Sequence, residues 1–168
     1  LAQTGKSQPL PIVLVDAPGG CYWREWEAFV RRQMLDRGMI SPQDAGLFRI
    51  TDRVEEAVEE VAGFYRNYHS SRYVQDGRLV IRHLFPLTDE GLARLKAEFA
   101  DILVDGSIER NGPHPDEMNE PELADLPRLI LRFNRRDVGR LRRLLDALNA
   151  SVAEPAVAEA GAGAPRPV

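Results

Sequence analysis

The sequence has little of what most often betrays a function. It holds one cysteine, Cys21, so no internal disulfide can form and a reducing compartment is expected. Its three histidines, His69, His83 and His114, are not spaced as a metal site and no cysteine pair supports them, so neither a metal nor another cofactor is expected. An excess of positive charge is missing too. The formal net charge is -4, and a mildly acidic chain repels phosphate backbones except at a local basic patch, which argues against a nucleic-acid partner. No apolar run approaches the roughly 20 residues that cross a bilayer, and no signal sequence opens the chain. No membrane partner and a cytoplasmic location are therefore expected. There is no internal repeat, and no initiating methionine: the first residue is Leu1, which leaves processing, trimming or a fragment as alternatives.

What is present is the composition of an ordinary globular domain, 43% hydrophobic and 29% charged over 168 residues. That length encloses one sizeable core and hardly two. The stretch from Pro9 to Phe29 organises the rest. Leu10 to Asp16 is short, apolar and closed by Pro18 and a glycine pair, which predicts a parallel strand buried on both faces. Trp26, Phe29, Val30 and Met34 then recur at helical spacing, predicting a helix from Tyr22 to Arg37 ended by Gly38. In open α/β sheets the loop leaving the carboxyl end of a strand faces the ligand crevice, so Asp16 to Trp23 is the first place to look for a site.

Further along, Ser41-Pro42-Gln43-Asp44 forms a helix start for a turn or two, and Leu47 to Ile50 reads as the next strand. Asp52 with Glu55 has a capping-box pattern, followed by one apolar helical face of Val54, Ala57, Val58, Val61, Phe64, Tyr65 and Tyr68. Arg78 to Leu84 and Arg128 to Phe133 read as strands, with a short one at Ser107 to Arg110. Thr88 and Asn134 cap two more helices. Asn111 to Pro127 reads as a mobile loop, Leu1 to Ser7 as the end of a helix, and the Ala, Gly, Pro and Val tract from Ala150 as a disordered tail.

Several of these segments carry a family resemblance. Leu1-Ala2-Gln3-Thr4-Gly5-Lys6, Pro11-Ile12-Val13-Leu14-Val15-Asp16, Tyr22-Trp23, Arg37 to Pro42, and Phe64 to Val74 resemble in order the second half of LOG-type proteins. Leu126 to Leu129 and Gly139 to Arg142 are similar to the longer bacterial members. This family, often labelled "possible lysine decarboxylase", comprises Rossmann-fold proteins and includes nucleoside monophosphate phosphoribohydrolases. The resemblance implies an α/β fold with a partial Rossmann-like parallel sheet and an α+β carboxyl-terminal extension. It implies residues 1–68 as the carboxyl-terminal half of a nucleotide-binding domain, 69–149 as the extension and 150–168 as the tail. The family's motif, Pro-Gly-Gly-x-Gly-Thr-x-x-Glu, holds its phosphate-binding glycines and catalytic glutamate. It is not in this chain: Pro18-Gly19-Gly20 is followed by Cys21-Tyr22-Trp23 and lies after a different strand. A nucleoside monophosphate would therefore be bound through the missing half. No catalytic residue is assigned here, and the chain alone is expected to be inactive. The alternative is a non-catalytic nucleotide-sensing or oligomerisation module, and in either case a homo-oligomer is expected.

Two groups of side chains remain as site candidates. Asp16, Tyr22 and Trp23 would line the crevice, Asp16 by meeting ligand or by satisfying the turn's amides, the aromatics by stacking on a base or packing on the helix. Arg66, His69, Arg72 and Tyr73 form the densest polar cluster, placed where a helix breaks into a loop, with phosphate, a partner subunit or a structural tie as its alternatives. Cys21 lacks the histidine that would activate it as a nucleophile. Arg128, Arg132, Arg135, Arg136, Arg140, Arg142 and Arg143 form a local basic patch expected to be mostly solvated.

Overall fold

In the computed structural model, which describes residues 8–152, the apolar run after Pro11 extends as strand β1, Val13–Val15. It runs parallel to β2, Arg49–Thr51, with Val13 opposite Arg49, Leu14 opposite Ile50 and Val15 opposite Thr51. Backbone bonds from Arg49 to Ile12 and from Asp16 to Thr51, both 2.9 Å, continue the pairing at each end. Helix α1, Tyr22–Val30, follows the glycine turn, and α2, Val54–Phe64, packs on both strands. The described residues divide into two compact units, 8–65 with 134–146 and 66–133 with 147–152. The fold is α/β, combining a two-stranded parallel sheet with a four-stranded antiparallel one.

The first unit departs from the sequence expectation in one respect that governs its reading. From residue 8 to residue 50 no residue is buried, and Thr51 is the first that is. β1 is therefore not enclosed on both faces, because a pair of strands offers too few neighbours to cover it; Val15 stays 44% exposed. The valines of α2 expected to face a core are exposed as well, Val54 at 65% and Val58 at 62%, while Phe64 is buried. Tyr68 does not belong to that helix at all but opens strand β3, Tyr68–Tyr73.

Other local corrections have local causes. α1 ends at Val30 and gives way to a π-helical turn, Arg31–Leu35, in which Asp36 N–H reaches back to the Arg31 carbonyl at 2.9 Å. Gly38 then takes φ 69°, a conformation open to glycine at little cost. Ser41 caps a short 3-10 turn, Pro42–Gly46, in a capping box with Asp44. The expected box at Asp52 and Glu55 does not form: Arg53 occupies the cap position of α2 without a side-chain bond to the helix amides, and Asp52 turns elsewhere.

The second unit holds a buried core. Its sheet has the order β3-β4-β6-β5, built from Tyr68–Tyr73, Leu79–His83, Arg128–Leu131 and Glu109–Asn111, antiparallel throughout. Every residue of β4 and β6 is buried. Ile81, Leu129 and Leu131 belong to that core, together with Leu95, at most 1% exposed, in α3, Asp89–Glu98. Thr88 caps that helix, its hydroxyl accepting from Gly91 N–H at 3.0 Å. β3 was not legible as a strand because Tyr-His-Ser-Ser-Arg-Tyr shows no apolar alternation. The expected loose stretch from Asn111 to Pro127 instead carries two 3-10 turns, Pro115–Glu117 and Pro121–Leu123, and its carboxylates are tied to strand arginines.

Asn134 does not cap the last helix: its side-chain oxygen accepts from the amides of Arg136 and Asp137 at 2.9 and 3.1 Å, Arg135 takes φ 57°, and the helix starts only at Val138. Helix α4, Val138–Ala150, buries Leu141, Leu144, Leu145 and Leu148. Ala150 is thus helical rather than part of a tail, and the expected helix end at Leu1 to Ser7 and the remainder of the tail lie outside the described residues.

Candidate functional site

The turn that leaves β1 is built from main-chain amides and two carboxylates. Asp16 accepts from Ala17 N–H at 3.0 Å and, with its other oxygen, from Trp23 N–H at 3.3 Å in the first turn of α1. Gly20 N–H bonds the Ala17 carbonyl at 2.7 Å. Gly19, at φ 74°, donates to Asp52 Oδ2 at 2.9 Å, from a residue that lies just beyond β2. That amide holds the Asp52 carboxyl below the usual carboxylate range, and the charges of Arg24 and Arg53 act in the same direction. A side chain on Gly20 would place Cβ 2.4 Å from Asp16 Oδ1 and 2.8 Å from the Ala17 carbonyl, so the close approach demands glycine.

The consequence is chemical. Glycine loops bind phosphate by aiming unpaired N–H groups at it. Here the amides of Ala17, Gly19, Gly20 and Trp23 all have acceptors inside the protein, and Pro18 has none to offer. Pro18-Gly19-Gly20 is a braced turn and does not cradle an anion through those amides.

Tyr22 and Trp23 stand at this turn. Trp23 donates its indole N–H to the Val15 carbonyl at 3.2 Å and meets Tyr22 edge-on, ring centroids 5.0 Å apart. Trp26 continues the contact at 6.0 Å and reaches Phe48 at 5.3 Å, an edge-to-face ladder of the kind aromatic quadrupoles favour. Tyr22 remains 68% exposed. Cys21 donates its thiol to Glu25 at 3.3 Å, and that bond with the nearby carboxylate charge raises its pKa, which leaves less thiolate at neutral pH.

The second candidate group sits on a strand, not where a helix breaks into a loop. His69 occupies the irregular step of β3, its Nδ1 3.0 Å from Ser70 Oγ; burial and the Arg82 charge both lower its pKa. Arg72 bonds Glu120 at 3.1 Å, Tyr73 lies opposite Leu79, and Arg66 is exposed before the strand. Sequence reasoning missed the centre of this cluster. Ser70, Arg82, Arg128 and Asn111 form one row across all four strands, so two guanidiniums stand directly opposite each other. Such a like-charge pair is unfavourable unless something lies between. Glu117 does: Oε1 accepts from Arg82 Nε at 2.6 Å, and Oε2 from Arg128 Nε at 2.9 Å and from His114 N–H at 2.7 Å. Burial pushes the Glu117 carboxyl up, but the His114 amide and the two guanidiniums outweigh it and hold the pKa below the ordinary value. Glu120 adds a second bond to Arg82. The signal available in the sequence was a charged residue inside the apolar run of β4.

The basic patch also dissolves in part. Arg128 is buried in this row, and Arg142 is buried against the Phe64 ring, 4.8 Å from its centre, with Glu60 at 2.6 Å and Asp146 at 2.9 Å. Among the described residues there is no group of three or more histidine, cysteine or carboxylate side chains that could hold a metal, and no helix long and apolar enough to cross a membrane.

A parallel strand pair with a glycine turn and helix between its members, beside an antiparallel sheet, defines an α/β protein. Residues 1–61 of the 168 match the family described as "Possible lysine decarboxylase", so the LOG-family pattern is present over the first part of the chain. No curated protein and no solved structure matches the chain.

Proposed function

We propose that this chain is the carboxyl-terminal part of a LOG-like nucleotide-binding protein of the cytoplasm. Its intact form would hydrolyse the N-glycosidic bond of purine nucleoside 5′-monophosphates, releasing free base and ribose 5-phosphate. The observation that carries the reading is the first unit itself: a parallel strand pair bearing the family pattern in which no residue from 8 to 50 is buried. Each large apolar side chain left in water forgoes about 1.5 to 3 kcal/mol relative to burial, which a wider sheet would recover. On this reading the first unit completes a nucleotide-binding domain supplied from outside the 168 residues, and the four-stranded unit is the family's extension.

The chemistry assigns the reaction to that other part. Glycosidic cleavage passes through an oxocarbenium-like state and needs a carboxylate to stabilise charge or activate water, and a cationic or amide-lined pocket for phosphate. In this chain Asp16 and Asp52 are bonded to the turn, and the amides of the glycine pair are taken. Isolated, the chain is expected to leave AMP intact.

A second reading, a non-catalytic nucleotide-sensing or oligomerisation module, draws on the same saturated turn and on the missing Pro-Gly-Gly-x-Gly-Thr-x-x-Glu motif. The coding sequence upstream of Leu1 separates them. An in-frame copy of that motif, together with AMP hydrolysis by the longest natural form, supports the enzyme; a start codon immediately before Leu1, or no AMP hydrolysis, supports the module.

A further inference from the structure

No residue from 16 to 23 is buried, so the turn between β1 and α1 is not held by packing, and its conformation rests on hydrogen bonds. Those of Asp16 are local. The bond that spans the chain runs from Gly19 N–H to Asp52 Oδ2, 33 residues away and 2.9 Å long. We propose that Asp52 is a positioning residue: from the carboxyl end of β2 it latches the glycine turn at the carboxyl end of β1, and so sets how Tyr22 and Trp23 are presented there. The functional weight of that presentation rests on the reading of this end of the strand pair as ligand-facing; the latch rests on geometry.

Three observations support it. An aspartate just before a helix ordinarily caps it, yet Asp52 leaves the start of α2 without a side-chain cap and reaches across to the other loop. Gly19 presents its amide from φ 74°, a conformation that other residues adopt only with strain, so the donor is aimed by the same glycine that makes the turn. Trp23 is fixed at both ends, by Asp16 at its amide and by Val15 at its indole, so a shift of the turn is transmitted to its ring and to Tyr22 against it. Besides Gly19, the charged groups acting on Asp52 are Arg24 and Arg53.

The test is an acid titration of the 168-residue chain followed by amide proton and nitrogen chemical shifts, with Asp52→Asn and Asp52→Ala alongside. The Gly19 amide should shift with a midpoint below the usual aspartate range, and the Tyr22 amide and Trp23 indole should follow it. Asp52→Asn keeps an acceptor, so it should hold Gly19 near its wild-type position while abolishing the titration. Asp52→Ala should displace Gly19, Tyr22 and Trp23 and raise acrylamide quenching of tryptophan. A Gly19 amide indifferent to the titration overturns the latch, as does an Asn variant that displaces these signals as far as the Ala variant does. Should the Ala variant not fold, the wild-type titration and the Asn variant decide the matter. Absence of nucleotide hydrolysis by the longest natural form would overturn the functional reading and leave this result standing.

Discussion

Glu117 is the buried ionic centre of the second unit. It is 3% exposed and lies between two guanidiniums that face each other across neighbouring strands. Removing one partner of a buried ionic group leaves the remaining charges uncompensated, at a cost of roughly 3 to 5 kcal/mol. Glu117→Ala should therefore lower stability in denaturant by about that amount, whereas Glu122→Ala, exposed in the same stretch, should change it by under about 0.5 kcal/mol. His83 supplies a second prediction. Its Nδ1 lies 2.7 Å from the Phe85 carbonyl, and its Nε2 is buried without a partner, so the neutral ring is favoured. Burial lowers its pKa, the Phe85 carbonyl opposes that, and the Arg110 charge lowers it further. A histidine held below its unfolded value contributes stability in full above about pH 6.5 and loses it as the pH falls toward the folded value. His69 is shifted the same way. Denaturation midpoints should accordingly fall as the pH drops below about 6.5, and His83→Leu should flatten part of that slope. At the turn, Gly20→Ala drives Cβ into Asp16 and the Ala17 carbonyl; the local strain should appear as loss of the Trp23 amide bond in exchange measurements.

Elements differ in how much of them the sequence discloses, and the difference is physical. β4 and β6 were legible because their apolar runs are enclosed, α3 because Thr88 announces its start through a local bond, and α4 because its leucines recur on one buried face. The glycine turn was legible as well, since Asp16, Pro18 and the glycines act within a few residues of one another. β3 was not, because it is held by cross-strand partners and by a carboxylate 48 residues away. Asp52 was misread for a related reason: local pattern makes it a cap, while Gly19 claims it from 33 residues off. The two sheets should also behave differently in solution. Backbone amides of β1 and β2, in a pair with one partly covering helix, should exchange with deuterium well before those of β4 and β6, whose residues are all buried. Protection of Val13–Val15 equal to that of Leu79–His83 would count against an incomplete first sheet.

At the scale of the whole molecule, the exposed apolar surface is unevenly placed. Of the large apolar side chains more than half exposed among the described residues, Tyr22, Phe29, Met39, Val54 and Val58 lie in the first unit, and Val104 and Met118 in the second. Patches of this kind on a soluble protein mark surfaces that meet another partner. The isolated chain should therefore associate as its concentration rises, while a sharp monomer at all concentrations would remove the need for a missing partner. The most direct test is to incubate AMP with the longest natural form and, in parallel, with the 168-residue chain, and to measure ribose 5-phosphate and free adenine. The account predicts release by the longer protein and none by the shorter. Release by the 168-residue chain, or by neither, contradicts it.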